Sequence, residues 1–139
     1  MIDLSAFAGN PIVWIAWEYQ GVEGQLWFID DVLVDVPPTN DVMAQSIDLP
    51  PYLIAPNTSL SPQATVVNVG QSTETFWVQC RIDTFTGAQV WRDSAQVFNL
   101  LPGDSYSPVF SLWQAGGEGA VYQVTAWTAL VGDMDPSND

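Results

Sequence analysis

Histidine and lysine are absent from this chain, and arginine occurs only twice, at Arg81 and Arg92, against 16 acidic residues. The formal net charge of −14 leaves no Lys/Arg cluster with which to neutralise phosphate. Nucleic acid and anionic membrane surfaces are therefore not expected partners, and cations are. Without histidine the usual general bases and nucleophile triads lack their central member. No Gly-x-Ser-x-Gly elbow, phosphate-binding loop or zinc-ligand spacing occurs either. Carboxylate pairs remain as acid–base candidates, but they lie in turn segments without an evident pocket, so a non-enzymatic protein is expected.

Cysteine is nearly absent as well. Cys80 is the single copy, which excludes a disulfide within the chain and leaves the redox compartment unmarked. It shares one face of an alternating stretch with Phe76, Val78 and Ile82, the pattern of a small buried hydrophobe. No apolar run reaches the ~18 residues of a membrane-spanning helix. The opening MIDLSAFAGN has neither a basic n-region nor an apolar h-region, so an export signal is expected to lie outside this chain if the protein is exported.

What the 139 residues do contain is β-strand pattern and turn chemistry, with 47% hydrophobic residues, ten glycines and ten prolines. From Gln63 to Leu130 the chain reads as a run of β-strands separated by turn signals, and no helical period is found. The spacing predicts strands at Ala64–Val69, Thr75–Asp83, Ala88–Asp93, Ala95–Leu100, Tyr106–Trp113 and Ala120–Leu130. Turn signals separate them at Asn68-Val69-Gly70, Thr86-Gly87, Leu101-Pro102-Gly103-Asp104 and Ala115-Gly116-Gly117. The expected core is Val66, Phe76, Val78, Cys80, Ile82, Phe110, Leu112, Tyr122 and Val124. A further strand is expected at Asp41–Pro50, followed by a crossing at Pro51–Pro62 too rich in proline for a central strand.

Residues 1–36 read as a separate unit. Asn10–Gln20 and Gly24–Val36 form a predicted β-hairpin around Gly21-Val22-Glu23. Its first arm is apolar on both faces, with Ile12, Trp14 and Ala16 on one and Val13, Ile15, Trp17 and Tyr19 on the other. Such strands are normally buried on both sides, and a lone hairpin of this kind is unstable in water. Pro37-Pro38-Thr39-Asn40 follows as a stiff linker over residues 37–40.

The segment IDLSAFAGNPIVWIAWEYQGVEGQLWFIDDVLV resembles the closing strands of the choice-of-anchor J, or cleaved-adhesin, jelly roll, which is related to MAM domains. The resemblance rests on the IDLSAFAG lead-in, Trp17-Glu18-Tyr19, a glycine turn and the strand Trp27-Phe28-Ile29-Asp30-Asp31-Val32, and it covers about the last quarter of that module. Residues 41–139 are similar to the immunoglobulin-like, or CARDB-like, modules of bacterial extracellular proteins. The matching features are the Asn-x-Gly turn, the Leu-x-Pro-Gly turn and the Tyr-x-Val strand that ends in a Gly-Asp turn. These resemblances imply an extracellular or cell-surface structural or adhesion protein. They also imply an all-β fold: an immunoglobulin-like β-sandwich lacking its last strand, with an N-terminal β-hairpin extension.

The expected deficit at each end suggests a shared remedy. Strands lacking a sheet at residues 10–36 and a sheet lacking a strand beside Ala120–Leu130 would complete one another between copies, giving a homo-oligomer or a head-to-tail filament. The competing reading is a piece of a longer multidomain protein. The expected interface residues are Ile12, Trp14, Ile15, Trp17, Trp27, Ile29, Trp77 and Trp127. Strand alternation points Trp77 and Trp127 outward on neighbouring strands, as a protein interface or a sugar-stacking platform, so a glycan or protein ligand is the alternative function. Oxygen-rich turns at Asp133, Asp135 and Asp139, and at Asp30 and Asp31, are candidate Ca²⁺ ligands, with solvated acidic turns as the competing reading.

Overall fold

The computed structural model describes residues 4–7, 14–18, 20 and 38–139. The chain divides into two compact units, Met1–Val34 and Asp35–Asp139. In the first unit Ser5–Phe7 form a 3₁₀ turn, closed by the Phe7 N–H donating to the Leu4 carbonyl at 2.9 Å. Trp14–Glu18 form no strand, and Trp14 is 89% exposed, with Ile15 and Trp17 exposed beside it. A β-strand exists only through hydrogen bonds to a neighbour, so apolar alternation at these residues does not suffice to make one. The second arm of the expected hairpin lies outside the described residues, as do Ile12, Trp27, Ile29, Asp30 and Asp31.

The second unit is all-β and antiparallel, with eight strands: β1 Val42–Leu49, β2 Ser59–Leu60, β3 Gln63–Asn68, β4 Glu74–Thr84, β5 Gln89–Leu100, β6 Ser105–Tyr106, β7 Trp113–Gln114 and β8 Tyr122–Ala129. They form sheets ordered β1-β3-β6 and β5-β4-β8, with the small pair β2-β7 beside them. This is the layout of a β-sandwich. Strand β4 is its centre. Phe76, Val78, Cys80 and Ile82 alternate inward and are buried, while Trp77 between them is 46% exposed. Opposite them Val42, Ala64 and Val66 from β1 and β3, together with Val97 and Phe110, close the main core. Each buried Val or Phe among them contributes roughly 1.5–3 kcal/mol on full burial. A second cluster gathers Ile82, Trp113 and Ala115. There the Trp113 and Tyr122 rings meet edge to face at 5.0 Å, and the Tyr122 hydroxyl accepts the Gly116 N–H at 2.8 Å.

The structure departs from the sequence pattern in two places. The segments expected as two strands, Ala88–Asp93 and Ala95–Leu100, are one strand, β5, because its register against β4 continues through Ser94, which sits opposite Gln79. The expected strand Tyr106–Trp113 is instead broken. It begins beside β3 as β6, touches Gln63 through Val109, and then leaves to pair with β2 as β7. Crossing between sheets places both Ser111 and Leu112 outside. Leu112, expected in the core, is 66% exposed and Trp113 takes the inward position at 5%. The remaining expected core residues are buried, except Tyr122 and Val124, which are half-buried on β8.

Asn68 locks the end of the sandwich. Fully buried, it donates through Nδ2 to the Ser72 and Leu100 carbonyls at 2.7 and 2.8 Å and accepts the Gly70 N–H at 3.0 Å. Its backbone accepts from Gly103 and donates to Asp104. One side chain thus ties together two segments, the turn at Gly70–Ser72 and the end of β5 at Leu100, and the Gly70 N–H it accepts is shared with the Asp41 carbonyl.

Candidate functional site

Two surfaces of the sandwich bear on function, the edge of β8 and the outer face of β5-β4-β8. Strand β8 pairs with β4 along one edge, and among the described residues no strand pairs with its other edge. Its inward residues Val124 and Ala126, with Leu130 beyond its end, pack against the core but stay only partly buried. Strand β1, the edge of the facing sheet, lies on the same side and touches β8. Strands β1 and β8 are therefore adjacent edges of the two sheets, each without a strand partner on its outer side among the described residues.

The C-terminal tail is bonded to both of these edges at one end of the sandwich. Thr128 donates to Asp139 and to the Val42 carbonyl, and Asn138 Nδ2 donates to Asp41 at 3.0 Å. Asp133 Oδ2 accepts the Val42 N–H at 3.2 Å and its Oδ1 accepts the Asp135 N–H at 2.8 Å. Asp135 in turn caps Ser137. The Asp139 carboxyl is pushed above the usual carboxylate range, first by burial and then by the charges of Asp133, Asp41 and Asp135, against the lowering effect of Thr128. The candidate calcium ligands Asp133, Asp135 and Asp139 thus share one end of the sandwich, where both oxygens of Asp133 and one oxygen each of Asp135 and Asp139 accept N–H or O–H donors. Among the described residues no three acidic or thiol side chains are arranged to hold a metal ion, and Ca²⁺ takes six to eight oxygen ligands.

The outer face of β5-β4-β8 is built by strand pairing. Trp77 stands opposite Gln96 on β5 and Ala129 on β8, Gln79 opposite Ser94 and Trp127, and Arg81 opposite Arg92 and Thr125. Directly opposed residues in a sheet share a face, so these side chains point outward together. Trp77 and Trp127 are diagonal neighbours there. Their rings do not stack on each other; the guanidinium carbons of Arg92 and Arg81 lie 5.4 and 6.0 Å from the Trp127 ring centre. Arg92 also donates to Gln79 Oε1. Arg81 pairs with Asp83 at 2.8 Å, and this is the one ion pair among the described residues. Arg92 has none, in a chain with 16 acidic residues.

Sequence reasoning placed Trp77 and Trp127 outward but missed the polar groups between them. The signal was present: Gln79 and Arg81 follow Trp77 at steps of two, and any strand pairing Arg92 opposite Arg81 completes the set. Only the register across the β4–β5 hairpin supplies that pairing.

Two shallow recesses among the described residues hold no acid–base pair. One is lined by Phe85, Val121 and Tyr122 and has no carboxylate; the other, lined by Phe98, Leu101 and Tyr106, has Asp104 alone. Cys80 is buried, and burial, partly countered by a backbone hydrogen bond at Arg81 and aided by the Asp93 charge, pushes its thiol up to about 11. It stays protonated at neutral pH, the inert form. Comparison with protein-family models, curated proteins and solved structures returned no match.

Proposed function

We propose that this chain is a non-enzymatic structural or adhesion protein of the extracellular space or cell surface. Its sandwich is of the immunoglobulin-like kind and joins copies of itself head to tail by β-strand donation into a filament. The observation that carries this reading is the open edge of β8, with half-buried Val124, Ala126 and Leu130 behind it. In an immunoglobulin-like sandwich a further strand covers that edge. An uncovered edge of this length invites a strand from another chain.

The donor is residues 10–36 of a second copy. Trp14, Ile15 and Trp17 are exposed there, which is costly in a lone chain. Covering the β8 edge would bury on the order of 1,000 Å². At ~25 cal/mol per Å² of its apolar part, the gross gain exceeds the ordering cost only if the fit is continuous. Donor and acceptor are different surfaces, so the contact propagates instead of closing as a dimer.

Analytical ultracentrifugation and electron microscopy of the full chain test this reading, with concentration-dependent polymers as the expected result. Deleting residues 1–36 should give an unstable or aggregating chain that the hairpin peptide partly rescues. A truncated chain that remains a stable soluble monomer overturns strand donation. A second reading, a carbohydrate- or protein-binding accessory module, is favoured by the outer face, where Gln79 and Gln96 neighbour exposed Trp77 and Arg92 reaches Gln79.

A further inference from the structure

We infer that the outer face of β5-β4-β8 is a binding site for a glycan carrying an isolated carboxylate, such as a terminal uronate. One sugar ring stacks on Trp77, and the terminal carboxylate of the glycan is received by Arg92, which stands opposite Arg81 and reaches Gln79, two residues along β4 from Trp77. This rests on the second reading above and is independent of strand donation.

The charge distribution carries the inference. Both cationic residues of a chain with net charge −14 lie directly opposite one another on neighbouring strands. Like charges so placed repel and cost stability. Asp83 neutralises Arg81, yet Arg92 is left among the described residues with only the Gln79 amide oxygen and the Trp127 ring. The trio Arg81, Arg92 and Asp83 therefore keeps a charge of about +1, on a surface where carboxylates outnumber cations. A guanidinium presents a planar fork of donors that fits a carboxylate in bidentate fashion, and Trp127 and Gln79 hold this one across the face of the sheet.

The same charge count defines the ligand. One carboxylate neutralises the site, whereas a polyuronate would bring further negative charge against a strongly acidic protein. Trp77 supplies the apolar face that a sugar ring stacks on, two residues along β4 from Gln79 and so roughly 6.6 Å away along the strand. Gln96, opposite Trp77, supplies a donor and an acceptor for ring hydroxyls. A flat face of this kind suits a saccharide lying along the sheet better than a small molecule that requires a cavity.

Isothermal titration calorimetry of the full chain, with tryptophan fluorescence alongside, tests the site. The probes are a glucuronate-terminated oligosaccharide, the same oligosaccharide ending in glucose, a polyuronate, and an acidic peptide. The glucuronate-terminated probe should bind, weakening as salt rises. The neutral counterpart and Arg92→Gln should each weaken binding about tenfold, the loss of one charge-assisted contact, with Arg92→Lys restoring part of it. Trp77→Ala should weaken binding without changing its salt dependence. Unchanged circular dichroism and melting confirm that these surface variants fold. Equal binding of the neutral probe, no effect of Arg92→Gln, tighter binding of the polyuronate, or no binding of any saccharide overturns the inference. Equal binding of the acidic peptide overturns it too, in favour of a protein interface. Failure to form polymers leaves the result untouched, because no second copy contributes to the site.

Discussion

The Asp93 carboxylate on β5 accepts the backbone N–H of Ser111 at 2.7 Å, fastening the long strand to the segment that crosses between the sheets. Burial alone would raise the Asp93 pKa. The Ser111 N–H and hydroxyl and the Ser94 N–H outweigh it and leave the carboxyl below its ordinary 3.8. A lowered folded-state pKa means that ionised Asp93 stabilises the fold above about pH 4 and that this contribution is lost as pH falls through the folded value. Asp93→Asn should lower stability at pH 7 by about 1 kcal/mol, or a few degrees of melting temperature, with the gap closing in acid. Thermal melts of both proteins from pH 7 down to pH 3 check this.

Asp139 carries the opposite sign. Its folded-state pKa is raised, so its contribution is present below the ordinary 3.8 and is lost as pH rises through the folded value. Asp139→Asn keeps an acceptor for the Thr128 hydroxyl and removes the charge facing Asp133, Asp41 and Asp135. The variant should melt above the parent protein at pH 7 and alongside it below pH 4. A variant that melts lower at neutral pH would show that the ionised carboxylate holds the tail in place.

Neighbouring positions on β4 should respond very differently to truncation. Phe76 is buried in the main core and Trp77 is half exposed. Phe76→Ala should cost ~3–5 kcal/mol, because transfer and cavity costs add, whereas Trp77→Ala should stay within ~0.5 kcal/mol. Urea denaturation of the two variants measures the contrast, and equal losses would place Trp77 in a packed interface.

Asn68→Ala removes a fully buried side chain that pairs with Ser72, Gly70 and Leu100. It strands the Leu100 carbonyl in the interior, where an unpaired polar group costs ~1–3 kcal/mol. Gly70 beside it admits no side chain, since a Cβ there would lie 2.7 Å from the Asp41 nitrogen and 2.8 Å from the Thr39 oxygen, both backbone atoms. Gly70→Ala should therefore destabilise about as much as Asn68→Ala. Denaturant midpoints compare them.

Self-assembly and glycan binding should respond to salt in opposite directions. Copies of net charge −14 repel, so polymer formation should strengthen as ionic strength approaches physiological values and the screening length falls to ≈ 8 Å. Trp14→Ser with Trp17→Ser, at exposed positions, should reduce assembly and leave the urea midpoint of the sandwich unchanged. Sedimentation velocity across a salt series, with a urea melt of the double variant, measures both.

Much of this protein was legible in its residues because a half-buried strand imposes a period of two. That period identified β3 and β4, the inward set Phe76, Val78, Cys80 and Ile82, and the outward Trp77. Composition alone gave the absence of histidine and lysine and the presence of only two arginines. What the period does not encode is which strands pair, and three features depended on pairing. Strand β5 runs unbroken because β4 supplies a partner along its length, although its sequence reads as two pieces. The run from Tyr106 to Trp113 changes sheets, which turns Leu112 out and Trp113 in against the simple alternation. Arg81 and Arg92 stand 11 positions apart in sequence, and the hairpin register sets them face to face above Trp127. Local sequence determines which face a side chain takes; only the register of the folded sheet decides what it meets there.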